Sequence, residues 1–80
     1  MVPLEAIRMK SEGVIPGIAD LFLMCPGKGY HGFFIEMKTV KGTQSDEQKT
    51  FQELAMKYGY KYSVCRTLES FIKAVNDYLR

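Results

Sequence analysis

Glu36-Met37-Lys38 closes the apolar run Phe33-Phe34-Ile35. The alternation of a strand puts Glu36 and Lys38 on one face and Phe33, Ile35 and Met37 on the other. Upstream, Gly17-Ile18-Ala19-Asp20 sets a lone carboxylate at the head of a second apolar run, Leu21-Phe22-Leu23-Met24. A carboxylate on one strand, with a carboxylate and an amine two residues apart on the next, suits metal-dependent phosphodiester hydrolysis. That reaction needs a divalent ion to offset charge on the phosphoryl oxygens and to activate water. Mg²⁺ takes hard oxygen ligands and keeps several waters, so two carboxylates and one carbonyl oxygen suffice. Asp20 and Glu36 supply the carboxylates if their strands are neighbours, and Met37 supplies its backbone carbonyl. Lys38 lies roughly 6.5–7 Å along the strand from Glu36. From there its ammonium can hold the attacking water and stabilise charge in the transition state.

Gln48 is a fourth candidate, on the face of a helix that turns toward the sheet. It either orients Lys38, the water or the scissile phosphate, or it completes a helix cap with Ser45, and both uses draw on the same amide. The competing reading of the whole set is structural. An E-x-K on a strand is commonly a surface ion pair, and an Asp after a glycine-rich loop is commonly a turn former. Burial favours the chemical reading, because Glu36 and Lys38 interrupt one of the most apolar segments of the chain. Charges there cost free energy unless paired or metal-bound.

The elements that position these residues follow from periodicity and punctuation. Residues Pro3 to Glu12 read as a short helix stopped at Gly13, and Val14 to Ile18 as an extended loop. Ala19 to Met24 is the first strand, and the Pro26-Gly27-Lys28-Gly29 turn joins it to an antiparallel second strand, His31 to Val40. Ser45-Asp46-Glu47-Gln48 has the form of a capping box, opening a helix that buries Phe51, Leu54, Ala55 and Tyr58 and ends at Gly59. Tyr60 to Arg66 is a third strand. Thr67 caps a last helix with Leu68, Phe71, Ile72, Val75, Tyr78 and Leu79 on its buried stripe. The order is αββαβα: an α/β (α+β) chain with a mixed, mainly three-stranded sheet flanked by helices.

With 80 residues the chain is one domain, small enough to bury only about 60–65% of its unfolded surface, so pairing with a second copy would help it. Hydrophobic residues at 46% and charged residues at 25% argue against disorder. A net charge of +2 neither demands nor excludes a nucleic-acid partner. No apolar stretch approaches the roughly 20 residues of a membrane span, and no signal peptide opens the chain. Cys25 and Cys65 are too few for a disulfide framework and are expected to be reduced and partly buried, which suits a cytoplasmic setting.

Gly17-Ile18-Ala19-Asp20, Glu36-Met37-Lys38 and the Gly42, Ser45, Gln48 spacing together resemble the VRR-NUC (virus-type replication-repair nuclease) domain of the PD-(D/E)xK superfamily. The resemblance runs from about residue 6 onward, with Gly59 and the Val64-to-Leu68 stretch also fitting. It implies a restriction-endonuclease-like core and metal-dependent cleavage of DNA. Asp20 and Glu36 would be ligands of Mg²⁺ or Mn²⁺, Lys38 catalytic and Gln48 supporting. Small stand-alone members are similar to Holliday-junction resolvases and work as homodimers, and a two-fold dimer presents paired sites to a four-way junction. Ala19 stands where the family has Pro. Most of the family's N-terminal segment, with its additional acid, has no counterpart here, and Glu5 does not align with that acid.

DNA contact is expected from basic residues rimming the site: Lys41 and Lys49 nearest, with Lys10 and Lys28 as outer candidates. His31 reads as structural, and Tyr30, Tyr60 and Tyr62 as packing or interface residues rather than base-stacking ones. The rival function is a non-catalytic DNA-binding or assembly module that keeps the fold. A sequence-specific restriction-type enzyme is disfavoured by the little surface left to read bases.

Overall fold

Alternating apolar residues build a sheet with two different sides, and each side is covered by its own helix. The computed structural model describes residues 7–9 and 19–80 of the chain. Its elements run β1 (Ile7–Met9), β2 (Leu21–Leu23), β3 (Phe33–Met37), α1 (Asp46–Lys57), β4 (Lys61–Cys65) and α2 (Leu68–Leu79). The sheet order is β1-β2-β3-β4. β1 and β2 are antiparallel, as are β2 and β3, whereas β3 and β4 are parallel through the α1 crossover. The fold class and the mixed sheet match the expectation from sequence.

The first element does not. The segment read as a helix over Pro3–Glu12 contains strand β1, which pairs Ile7 with Leu23 and Met9 with Leu21 and widens the sheet to four strands. Among the described residues the order is therefore βββαβα. The Leu4 and Ile7 spacing fits a helical turn, but the free edge of β2 offers hydrogen bonds that a helix there could not take up. The remainder of that segment, and the loop expected over Val14 to Ile18, lie outside the described residues.

Odd-numbered residues of β3 face one helix and even-numbered ones the other. Leu23, Phe33, Ile35 and Cys65 form a buried cluster with Tyr78, against which Phe71, Ala74 and Val75 of α2 pack. Phe33 and Tyr78 hold their ring centroids 4.9 Å apart, and the Tyr78 hydroxyl donates to the Cys25 carbonyl at 2.6 Å. On the opposite side, Ala55 of α1 meets Ala19 and Tyr62, with Phe34, Tyr60 and Val64 around them. Both helices start at reciprocal capping boxes, Ser45 with Gln48 and Thr67 with Ser70. Gly59 ends the α1 region with φ +88°, and a Cβ there would come within 2.8 Å of the His31 ring, so both backbone and space call for glycine.

The helices bury less than their periodicity predicts. Leu54 and Tyr58 of α1, and Leu68, Ile72 and Leu79 of α2, are exposed. A sheet with strands of three to five residues is too short to cover the whole apolar stripe of a 12-residue helix. Cys25 and Cys65 are both free thiols, Cys65 buried. Among the described residues no helix is long and apolar enough to cross a membrane.

Candidate active site

The site forms where β3 runs out toward α1. β2 and β3 pair Leu21 with Ile35, and one further step in that register sets Asp20 opposite Glu36. Both carboxylates belong to the side of the sheet that faces α1. Asp20 Oδ2 accepts a hydrogen bond from the Met37 backbone N–H at 2.7 Å, so its carboxylate is pinned against β3. On the other edge of β3, the Lys38 N–H donates to the Cys65 carbonyl at 2.9 Å. A planar trans peptide then directs the Met37 carbonyl away from β4, toward the Asp20 side.

Glu36 has no exposed surface. Its Oε1 accepts from the Tyr62 hydroxyl at 2.5 Å and from Gln44 Nε2 at 3.4 Å. Gln44 Nε2 also donates to Gln52 Oε1 at 2.9 Å. The other oxygen, Oε2, is buried without any hydrogen-bond partner. Lys38 Nζ is 3.8 Å from it, too long for a hydrogen bond but close enough for an ion pair. The Lys38 side chain is 22% exposed, so it bridges the buried acid and solvent.

A buried carboxylate oxygen without a hydrogen bond is costly, and cation coordination is one way to satisfy it. The donors that Asp20, Glu36 and the Met37 carbonyl offer are all hard oxygens, which fits Mg²⁺ or Mn²⁺ with waters completing the shell. Among the described residues no three His, Cys, Asp or Glu side chains cluster. The hard-oxygen donors at the site are thus two carboxylates and one backbone carbonyl.

Gln48 is buried, and its Oε1 accepts from the Ser45 N–H at 2.9 Å while its own N–H donates to Ser45 Oγ at 3.1 Å. The cap thus takes the amide oxygen, and no hydrogen bond joins Gln48 to Asp20, Glu36 or Lys38. Lys41 is exposed on the loop after β3, and Lys49 is exposed on α1. Lys28 sits at the tip of the β2–β3 hairpin with φ 55°, at the opposite end of those strands from Asp20 and Glu36. Its charge there acts on Asp77 of α2. Lys10 lies outside the described residues.

Four contributors were not expected from the sequence. Tyr62 looked like a packing residue, yet it is the closest partner of Glu36. Gln44 and Gln52 were not singled out at all. Arg66, just past β4, holds the loop above the site: its Nη1 donates to the carbonyls of Thr39 at 2.8 Å and Gly42 at 2.5 Å. A parallel register is not written locally, so nothing marked Tyr62 as facing Glu36 until Phe34 was seen to pair with Tyr62 and Glu36 with Val64.

Burial, then the hydrogen bond to Glu36, pushes the Tyr62 hydroxyl far above the ordinary tyrosine range. Burial also raises the Tyr78 hydroxyl and, against an opposing hydrogen bond from Ser70, the Cys65 thiol. Groups raised in the folded state bind their protons more tightly there. They stabilise the fold below their unfolded values, about 8.5 for Cys and 10 for Tyr, and that contribution drains away as pH climbs past them. The urea midpoint should accordingly hold steady below about pH 8.5 and fall beyond about pH 10. Tyr62→Phe should flatten the upper part of that decline, and a midpoint unchanged across the alkaline range would contradict this.

No family model matches the chain, and no curated protein matches it. A solved structure described as a VRR_NUC domain protein matches 94% of this chain and 68% of its own, with TM-score 0.86 and 26% sequence identity. The chain folds as a VRR-NUC domain. Its architecture is thus of nuclease type. The Gly42, Ser45 and Gln48 spacing that suggested the VRR-NUC resemblance forms the loop and helix cap bordering Glu36. Glu36-Met37-Lys38 occupies the end of β3.

Proposed function

We infer that this VRR-NUC domain is a divalent-metal-dependent DNA endonuclease. The observation that carries the reading is Glu36 Oε2: buried, without a hydrogen bond, with Lys38 Nζ at 3.8 Å and with Asp20, just before β2, in register opposite Glu36. Asp20, Glu36 and the Met37 carbonyl would hold the ion. Bound Mg²⁺ or Mn²⁺ supplies Lewis acidity toward phosphoryl oxygens and a more acidic water. Asp20 keeps its orientation through the Met37 N–H, and the sheet ladder fixes the peptide whose carbonyl completes the set. Lys38, tethered to the buried carboxylate at one end of its reach, presents an ammonium to the attacking oxygen and to charge building on the phosphate. Gln48 supports the site by holding the start of α1 in place, and Lys41 and Lys49 offer phosphate contacts beside it.

The proposed substrate is branched DNA, four-way junctions included, cut by a homodimer. The resemblance to junction resolvases supports this, as does the apolar row of Leu68, Ile72 and Leu79 on α2, exposed among the described residues, which a second copy would cover. The competing reading, a DNA-binding module without chemistry, predicts binding indifferent to metal. Labelled four-way, flap and linear DNA should be cut in Mg²⁺ and left intact in EDTA. Asp20→Asn should abolish cutting while leaving the circular dichroism spectrum unchanged. Cutting that survives EDTA, or metal-independent binding with no cutting by the parent chain, would overturn the proposal.

A further inference from the structure

The two oxygens of Glu36 have unequal surroundings. Oε1 is held from β4 by the Tyr62 hydroxyl and from the loop before α1 by Gln44, which is itself anchored to Gln52. Oε2 has no hydrogen bond. A carboxylate rotating freely about its last bond would interchange its oxygens. This one cannot do so without giving up a 2.5 Å hydroxyl contact inside the protein. The arrangement is built from separate elements, since Phe34 pairs with Tyr62 and Glu36 with Val64. Tyr62 therefore leans along β4 to meet the acid, while its ring stays packed 6.2 Å from that of Phe51.

We propose that Tyr62, seconded by Gln44, is a positioning residue that reserves Glu36 Oε2 as the single cation-ligating oxygen of that carboxylate. This rests on the divalent-ion reading above. Tyr62 touches neither substrate nor ion. It acts by taking up Oε1, so that the ion meets an acid whose rotation and direction are set before binding. Carboxylate ligands depend on such outer hydrogen bonds, and losing one typically costs roughly 10–100-fold in metal affinity.

The test is titration with Mn²⁺ alone, without DNA, following free Mn²⁺ by electron paramagnetic resonance. Tyr62→Phe keeps the ring and should lower affinity by roughly 10–100-fold, and Gln44→Ala should lower it less, in the same direction. Adding Mg²⁺ should perturb the near-ultraviolet tyrosine absorption of the parent chain, and that perturbation should vanish in Tyr62→Phe. A merely structural tyrosine would not produce that signature. If the parent binds Mn²⁺ and Tyr62→Phe binds it equally tightly, the positioning role is wrong and the ion site stands. If the parent does not bind Mn²⁺, the ion site itself is wrong and the positioning role falls with it. Gln44→Ala lies outside the core, so parent-like affinity in it decides against the proposal should Tyr62→Phe fail to fold.

Discussion

Lys38→Met will slow single-turnover cleavage by roughly 10²–10³-fold, the loss of about 2.7–4 kcal/mol that follows removal of one charge-stabilising donor. Met preserves the length and the apolar stem of lysine, so packing along β3 is retained while the ammonium goes. Glu36 then loses the cation 3.8 Å from its buried oxygen. The pair is not hydrogen-bonded and the lysine is partly in water, so the fold should lose only about 1 kcal/mol. Saturating Mg²⁺ should return part of that stability, because an ion that binds only the folded state shifts the unfolding equilibrium by mass action. Lys57→Met, at the far end of α1, serves as the control and should cut like the parent chain. Were Lys38→Met also to cut like the parent, the amine would have no part in the chemistry.

Phe33→Ala will remove about 3–5 kcal/mol of stability. A domain this small sits near the lower end of the usual 5–15 kcal/mol, roughly, so the variant should be largely unfolded at body temperature. Phe33 has no exposed surface and stands at the centre of the sheet, paired with Leu23 on one side and Lys61 on the other. Its ring meets Tyr78 of α2, and Lys61 Nζ lies 5.6 Å from the ring centroid. Taking the ring away opens a cavity beneath β3 and loosens the β2–β3 register that sets Asp20 opposite Glu36. Urea denaturation followed by circular dichroism measures the loss. A shift within about 1 kcal/mol of the parent would mean that the core is built elsewhere.

Much of this arrangement was legible in local pattern. The alternation through residues 33–38 separates Phe33 and Ile35, which enter the core under α2, from Glu36, which faces α1. Ser45 with Gln48, Thr67, and Gly59 marked helix limits because capping chemistry is confined to a few adjacent residues. Pairing between distant segments was not legible. Tyr62 reaches Glu36 across 26 positions of sequence, and no local spacing encodes a parallel register. β1 was mistaken for a helix because three residues show too little periodicity to distinguish the two, and a neighbouring strand edge decides the matter. The exposure of Leu68, Ile72 and Leu79 escaped for a related reason: a helical stripe tells which residues are apolar, not how much sheet is available to cover them.

A crystal grown with Mn²⁺ and measured at a wavelength that excites its anomalous scattering would locate the ion. A single strong anomalous peak is expected, bounded by an Asp20 carboxylate oxygen, Glu36 Oε2 and the Met37 carbonyl, with Glu36 Oε1 still held by Tyr62. A fully formed sheet with no peak there, or with Lys38 filling the space between the two carboxylates, would contradict the divalent-ion reading.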